Sequence, residues 1–296
     1  MYRDTMKQRN LIVEIKRKYD FLTKAEKKIA NYTLANPQKV LFMSITDLGD
    51  ASGVGETSVF RFCRTLEVSG YQEFKMLLSL SPDLQMTEPA EKNEEGDMSS
   101  PRDTAAQEAS VIDRVYATNM MALSETMAIL KQEDLCKAVD ALIAADTIHF
   151  FGVGSSLFSA LEAMSRFLRI TLKVRCVEDS HMQSMAASMM GEKDVAVVIS
   201  YSGATKDSLN CANLAKKNGA KVISITRHLK SPLAAVTDVL LQCGSNEDPM
   251  EGGAISTKIS QLFIIDLLYT EYYSRFPKVN RENQRKTSSS ILEKMF

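Results

Sequence analysis

Along the first eighty residues the apolar positions recur at helical spacing. Leu11, Ile12, Ile15 and Tyr19 share one face. Thr23, with Glu26 three residues on, has the spacing of a capping box. Ile29, Tyr32 and Leu34 are the apolar positions of the helix it opens, and Pro37 ends that helix. A short segment, Gln38 to Met43, leads to Ser44–Gly53, a brief helix closed by glycine. Val54 and Gly55 form a turn, after which Glu56 to Leu66 predicts a helix with Val59, Phe62, Cys63 and Leu66 inward. Tyr71 to Leu80 predicts one more.

Beyond residue 104 the period changes. Val111, Val115, Met120, Leu123, Met127 and Leu130 recur at steps of three to five, which predicts one or two helices over 105–144 with these residues as their apolar positions. Five short apolar runs then alternate with helical stretches: Thr147–Phe151, Lys173–Val177, Val195–Ser200, Lys221–Thr226 and Val239–Cys243. The intervening helices fall at 156–170, 182–190, 206–218 and 231–236, with a long one at 254–275. Strands of this length separated by helices predict a doubly wound parallel sheet of five strands covered on both faces. The fold class is therefore an all-α domain followed by an α/β domain.

Between the two patterns, Ser81 to Arg102 carries three prolines, a cluster of acids and few large apolar residues, a composition that buries little surface. The expected division is a helical domain at 1–80, a linker at 81–104, and an α/β domain at 105–296 with a leading helix and a C-terminal helical tail. The formal net charge of -1 conceals this division: it is +4 over residues 1–80, -7 over 81–113 and +2 over 114–296. Several classes are excluded. No apolar run is long enough to span a membrane. The opening MYRDTMKQRN lacks the apolar core of a signal peptide, so a cytoplasmic location is expected. The five cysteines form no Cys-x-x-Cys pair, and the three histidines are far apart, so neither a disulfide frame nor a metal centre is expected.

A short helix, a tight turn and a second helix of about three turns make the helix-turn-helix plan. The second helix presents Glu56, Thr57, Ser58, Phe60, Arg61 and Arg64 on its outer face and leading end. Short polar groups near its start suit base edges, and arginine further along suits guanine or phosphate. Lys75 is a candidate phosphate contact one helix later. The alternative for this module is a helical bundle serving only dimerisation, with Arg61 and Arg64 as solvated charges.

In the α/β domain two strand ends carry distinctive loops, FFGVGSS and ISYSGATK, at the carboxyl edge where open sheets bind ligands. Glycine permits close backbone approach, while Gly154, Ser155, Ser156, Ser200, Ser202 and Thr205 offer amides and hydroxyls to an anion. Any one of these serines would serve equally as a helix cap; two such loops at successive strand ends favour ligand binding. Gly152 and Gly154 are followed by no third glycine in dinucleotide register, and no Gly-Lys-Ser/Thr follows, so no nucleotide cofactor is expected. His181 and Glu251 are further ligand candidates, His149 reads as a hydrogen-bonded core residue, and the loop at His228 borders the same edge. A sugar-phosphate isomerase with a helical extension is the enzymatic alternative. It needs Glu251 or His181 as base, and neither stands in a recognisable acid/base constellation.

The segment SITDLGDASGVGETSVFRFCRTLEVSGYQEFK resembles the N-terminal domain of the RpiR family of bacterial transcriptional regulators. FFGVGSS, DSHMQ, ISYSGATKD and KISQLFIIDLLY resemble the sugar isomerase (SIS) domain those regulators carry. The resemblance covers nearly the whole chain. It implies a non-catalytic regulator, dimeric or tetrameric, bound to a double-stranded and palindromic DNA operator, with an affinity set by a phosphorylated sugar. It places phosphate binding on Ser155, Ser156, Ser200, Ser202 and Thr205, and DNA contact on Thr57, Ser58, Arg61 and Arg64. Gly55 departs from the Ser or Thr that often caps the recognition helix in the family, and Phe60 from a small polar residue.

Overall fold

The computed structural model describes residues 10–81, 110–244 and 255–292. The chain divides into two compact units, one ending at Tyr116 and the other taking up at Ala117.

The first unit is helical: α1 Leu11–Lys18, α2 Lys24–Ala35, α3 Pro37–Leu41, α4 Ile45–Ser52, α5 Glu56–Thr65 and α6 Tyr71–Ser79, with a 3-10 turn at Tyr19–Phe21. The capping box at Thr23 and Glu26 forms, and Ser44 makes a second one with Asp47. Pro37 does more than end α2. It occupies the first position of α3, where its missing N–H costs nothing. The core runs from Leu11 and Ile15 through Ile29, Leu48, Val59 and Phe62 to Phe74 and Leu78, all buried. Phe62 and Phe74 meet edge to face at 5.8 Å.

Gly53 closes α4 in the left-handed conformation at φ 64°. The turn's second glycine is not the one expected. Gly55 has an extended backbone, and a Cβ there would meet no neighbour. The tight approach is at Gly49, one turn earlier, where a Cβ would lie 2.9 Å from the Val54 carbonyl oxygen.

The second unit holds the sheet. Its strands are β1 Thr147–Phe151, β2 Val174–Cys176, β3 Asp194–Ile199, β4 Lys221–Thr226 and β5 Val239–Gln242, each within a residue of its predicted limits. All pair in parallel, in the order β2-β1-β3-β4-β5. The helices are α7 Val111–Ile129 (which starts in the first unit), α8 Gln132–Ala144, α9 Ser155–Leu168, α10 Ser180–Ser188, α11 Lys206–Lys217, α12 Pro232–Val236, α13 Ile255–Arg275 and α14 Pro277–Leu292. Alternation along β3 sends Val195, Val197 and Ile199 to a core shared with α8, α9 and α13. Ala196 and Val198 face the core shared with α10, α11 and α12.

Two expectations fail. Much of the apolar series over α7 is not its packed face: Val111, Val115, Met120 and Met127 are exposed, Leu123 is half-buried and Leu130 packs against the core, while Ala122 and Thr126 are buried. The cause is a close approach by Gly244, whose Cβ would stand 2.6 Å from the Thr126 nitrogen and 2.9 Å from the Ala122 oxygen. Only small side chains fit against that backbone. His149 is half-buried and stacked on Phe151, but its Nδ1 has no hydrogen-bond partner. Burial holds its pKa below the ordinary histidine value, opposed by Asp194 and aided by Arg175.

Candidate functional site

The chain leaves β1 toward β2 on one side and returns to β3 on the other. The carboxyl ends of β1 and β3 therefore flank a topological switch point, where a crevice opens in doubly wound sheets. The two hydroxyl-bearing loops leave the sheet there.

In the β1 loop, Gly152 passes so close to α9 that a Cβ would lie 2.7 Å from the Ser156 carbonyl oxygen. Gly154 stands at φ 57° as the residue before α9, so Ser155 and Ser156 are the first two residues of that helix. In the β3 loop, Ser200 is buried. Its amide donates to the Ile225 carbonyl at 3.0 Å, and its Oγ donates to Thr205 Oγ1 at 3.4 Å. Ser202 Oγ accepts from the Ala204 amide at 3.3 Å. Thr205 precedes α11 without capping it, and Gly154 has no side chain with which to cap α9. Both helices thus begin without a side-chain cap at the ligand edge, where first-turn amides and the helix dipole favour an anion.

The structure brings Ser200 and Thr205 into contact and sets Ser155 and Ser156 at the end of the adjacent strand. His181 is exposed in the first turn of α10, which Asp179 caps by accepting from the Met182 amide at 2.9 Å. His228 meets Tyr201 edge to face at 5.9 Å, so its loop borders the β3 loop. Glu251 lies outside the described residues. Two buried glutamines escaped the sequence reading. Gln183 Nε2 donates to the carbonyls of Gly152 and Val177, both at 2.9 Å, and so ties α10 to the β1 loop. Gln261 Oε1 accepts from Ser159 Oγ at 2.6 Å, and its Nε2 lies 3.5 Å from Ser156 Oγ. Each stands in an ordinary helical pattern, and only the fold shows what it reaches.

Among the described residues no cluster of three or more His, Cys, Asp or Glu side chains is placed to hold a metal. Burial pushes the Cys63 thiol up to about 12 and those of Cys176 and Cys211 to about 11, which keeps them protonated.

On the first unit, α5 presents Glu56, Thr57, Phe60, Arg61 and Arg64 to solvent, with Ser58 partly buried. Glu56 accepts a hydrogen bond from the Thr46 hydroxyl, which fastens the leading end of α5 to α4. Arg61 Nε donates to the Thr57 carbonyl at 3.4 Å, and the Arg64 guanidinium lies 5.2 Å from the Phe60 ring centroid. Phe60 is thus exposed and stacked by Arg64, not packed into a neighbouring helix. The expected phosphate contact at Lys75 fails: the residue is buried, with Nζ 5.5 Å from the Tyr71 ring centroid.

Residues 9–83 match the helix-turn-helix domain of the rpiR family, and residues 141–271 match the SIS domain. HexR, an HTH-type transcriptional regulator of Pseudomonas aeruginosa, is 35% identical over 264 residues, 88% of each chain. HexR of Escherichia coli is 30% identical over 287 residues, covering 97% of this chain and 96% of its own. The chain belongs to the RpiR family. It is a transcriptional regulator of the HexR and RpiR type carrying a SIS domain, and the relatives that match it along nearly their whole length are named as regulators, not enzymes. Among solved structures, the Vibrio vulnificus NanR protein complexed with ManNAc-6P superposes with a TM-score of 0.83 at 26% identity, covering 97% of this chain and 99% of that one. No helix of the described residues is long and apolar enough to cross a membrane.

Proposed function

We propose that this regulator binds a phosphorylated sugar at the β1 and β3 loops, and that the bound sugar sets its affinity for a DNA operator. The observation that carries the reading is the pair of hydroxyl-bearing loops at the switch point, each opening a helix without a side-chain cap. The likeness to a regulator solved with ManNAc-6P supports the same ligand class. The phosphate falls to Gly154, Ser155, Ser156, Ser200, Ser202 and Thr205, with His181 and Glu251 toward the sugar. DNA contact falls to Thr57, Ser58, Arg61 and Arg64, with Glu56 at the helix start. The working units are residues 1–80 for DNA, 81–104 as linker and 105–296 for the ligand, in a cytoplasmic homodimer or homotetramer. Ligand between protomers changes the spacing of two recognition helices, and a palindromic operator is sensitive to that spacing.

The test is a thermal-shift screen of the full chain against hexose and amino-sugar 6-phosphates, followed by operator footprinting with and without the stabilising compound. Ser202→Ala keeps ligand-free footprints and loses the ligand response. A variant that responds like the wild type removes Ser202 from the phosphate site, and a screen without any stabilising sugar phosphate sinks the reading.

A further inference from the structure

α9 and α13 run side by side in the same direction. Lys258 lies over the Phe158 ring at 5.3 Å, Gln261 accepts from Ser159, Arg166 pairs with Asp266, and Phe167 packs edge to face on Tyr269 at 5.6 Å. The offset between partners runs from 100 to 105 residues along the helix pair. Carried back one turn, this register sets Thr257, in the first turn of α13, at the leading end of α9. Thr257 and Gln261 are four residues apart and share a face. Gln261 faces α9, with Nε2 3.5 Å from Ser156 Oγ, so Thr257 faces the leading end of α9.

The Thr257 side chain is anomalous. The residue is 2% exposed, and its Oγ1 has no hydrogen-bond partner. A buried hydroxyl left unsatisfied costs stability, and its removal normally costs none. It stands where two parallel helices present their N-terminal ends together, so both dipoles favour negative charge at one place.

We infer that Thr257 is a third phosphate-binding hydroxyl, contributed by α13, and that Gln261 is the positioning residue that holds Ser156 toward the same oxygen atoms. The anion is then held from β1, β3 and α13 together. This rests on the sugar-phosphate reading and adds a wall to that site.

The decisive variant is Thr257→Val, which keeps the shape and deletes the hydroxyl. The full chain is titrated by calorimetry with N-acetylmannosamine 6-phosphate, glucosamine 6-phosphate, glucose 6-phosphate and inorganic phosphate, beside the wild type and Ser202→Ala. The expected result is a ligand-free melting temperature at or above that of the wild type, with the tightest-binding sugar phosphate weakened at least tenfold, about 1.4 kcal/mol. A purely structural threonine predicts unchanged affinity. Gln261→Glu retains the acceptor for Ser159 and sets a carboxylate against the anion, so it lowers sugar-phosphate affinity more than Thr257→Val does. If Ser202→Ala weakens binding and Thr257→Val does not, the α13 wall is wrong and the sugar-phosphate reading stands. If the wild type binds none of the four probes, both fall.

Discussion

Gly203 turns the β3 loop at φ 60°, and a Cβ added there would lie 2.1 Å from Ser231 Oγ and 2.5 Å from Ser231 Cβ. Ser231 is the cap of α12, its Oγ accepting from the Ala234 amide at 3.3 Å. Gly203→Ala therefore forces a left-handed alanine and displaces a cap together. The expected loss is about 2–3 kcal/mol, combining backbone strain with overpacking, read by urea unfolding of the full chain. A midpoint equal to that of the wild type would show that the loop relaxes freely. At this scale the sequence pointed to several correct positions for physical reasons that operate locally. A glycine between a strand and a helix, a serine at a helix start and a threonine three residues before a glutamate all act through neighbours in the chain. Gln183 and Gln261 were illegible because their partners lie on other elements: Gln261 reaches Ser159 across 102 residues. Thr257 was illegible because only packing shows its hydroxyl buried without a partner.

Among the elements, α5 is held at both ends. Thr46 bonds Glu56 at the start. At the other end Thr65 donates to the buried Glu26 at 2.6 Å, and Lys18 Nζ donates to the Thr65 carbonyl at 2.9 Å. Burial pushes the Glu26 carboxyl upward, but the bonds from Thr65 and Thr23, aided by the Arg61 charge, outweigh it and hold its pKa below the ordinary 4.5. A depressed carboxyl stabilises the fold above the unfolded-state pKa. That stabilisation is lost as pH falls below 4.5 toward the folded-state value. The first unit's stability, measured by denaturant titration between pH 7 and pH 3, should therefore decline more steeply in the wild type than in Glu26→Gln. Parallel curves would rule Glu26 out as the acid-sensitive group. The helices of this unit were legible because amphipathic spacing and caps are local. The orientation of α7 was not, because the approach of Gly244 reverses which residues count as its inner face.

At the scale of the whole molecule, a near-neutral chain contains a basic front of +4 over residues 1–80. Arg61 and Arg64 both stand exposed on the outer face of α5, where the proposed DNA contact falls. Arg61→Ala should lower operator affinity by about 1–3 kcal/mol if it reads a base, with relaxed preference at one position. If it meets only phosphate, the loss is uniform across sequences and the salt slope falls by about 0.9. Binding curves at several salt concentrations on operator and random DNA distinguish the two, and curves identical to the wild type would remove Arg61 from the interface.

The sequence by itself determined the succession of helices and strands, the parallel sheet and the two loops at its carboxyl edge. Hydrophobic period, capping and turn chemistry are written in residues close to one another. Only the tertiary structure decided that β1 and β3 are neighbours at a switch point, that Lys75 is buried, that Gly49 and not Gly55 tightens the turn, and that the first turn of α13 buries an unpartnered hydroxyl. Each of these depends on packing between segments far apart in the chain, where steric fit and burial, not local propensity, select the arrangement.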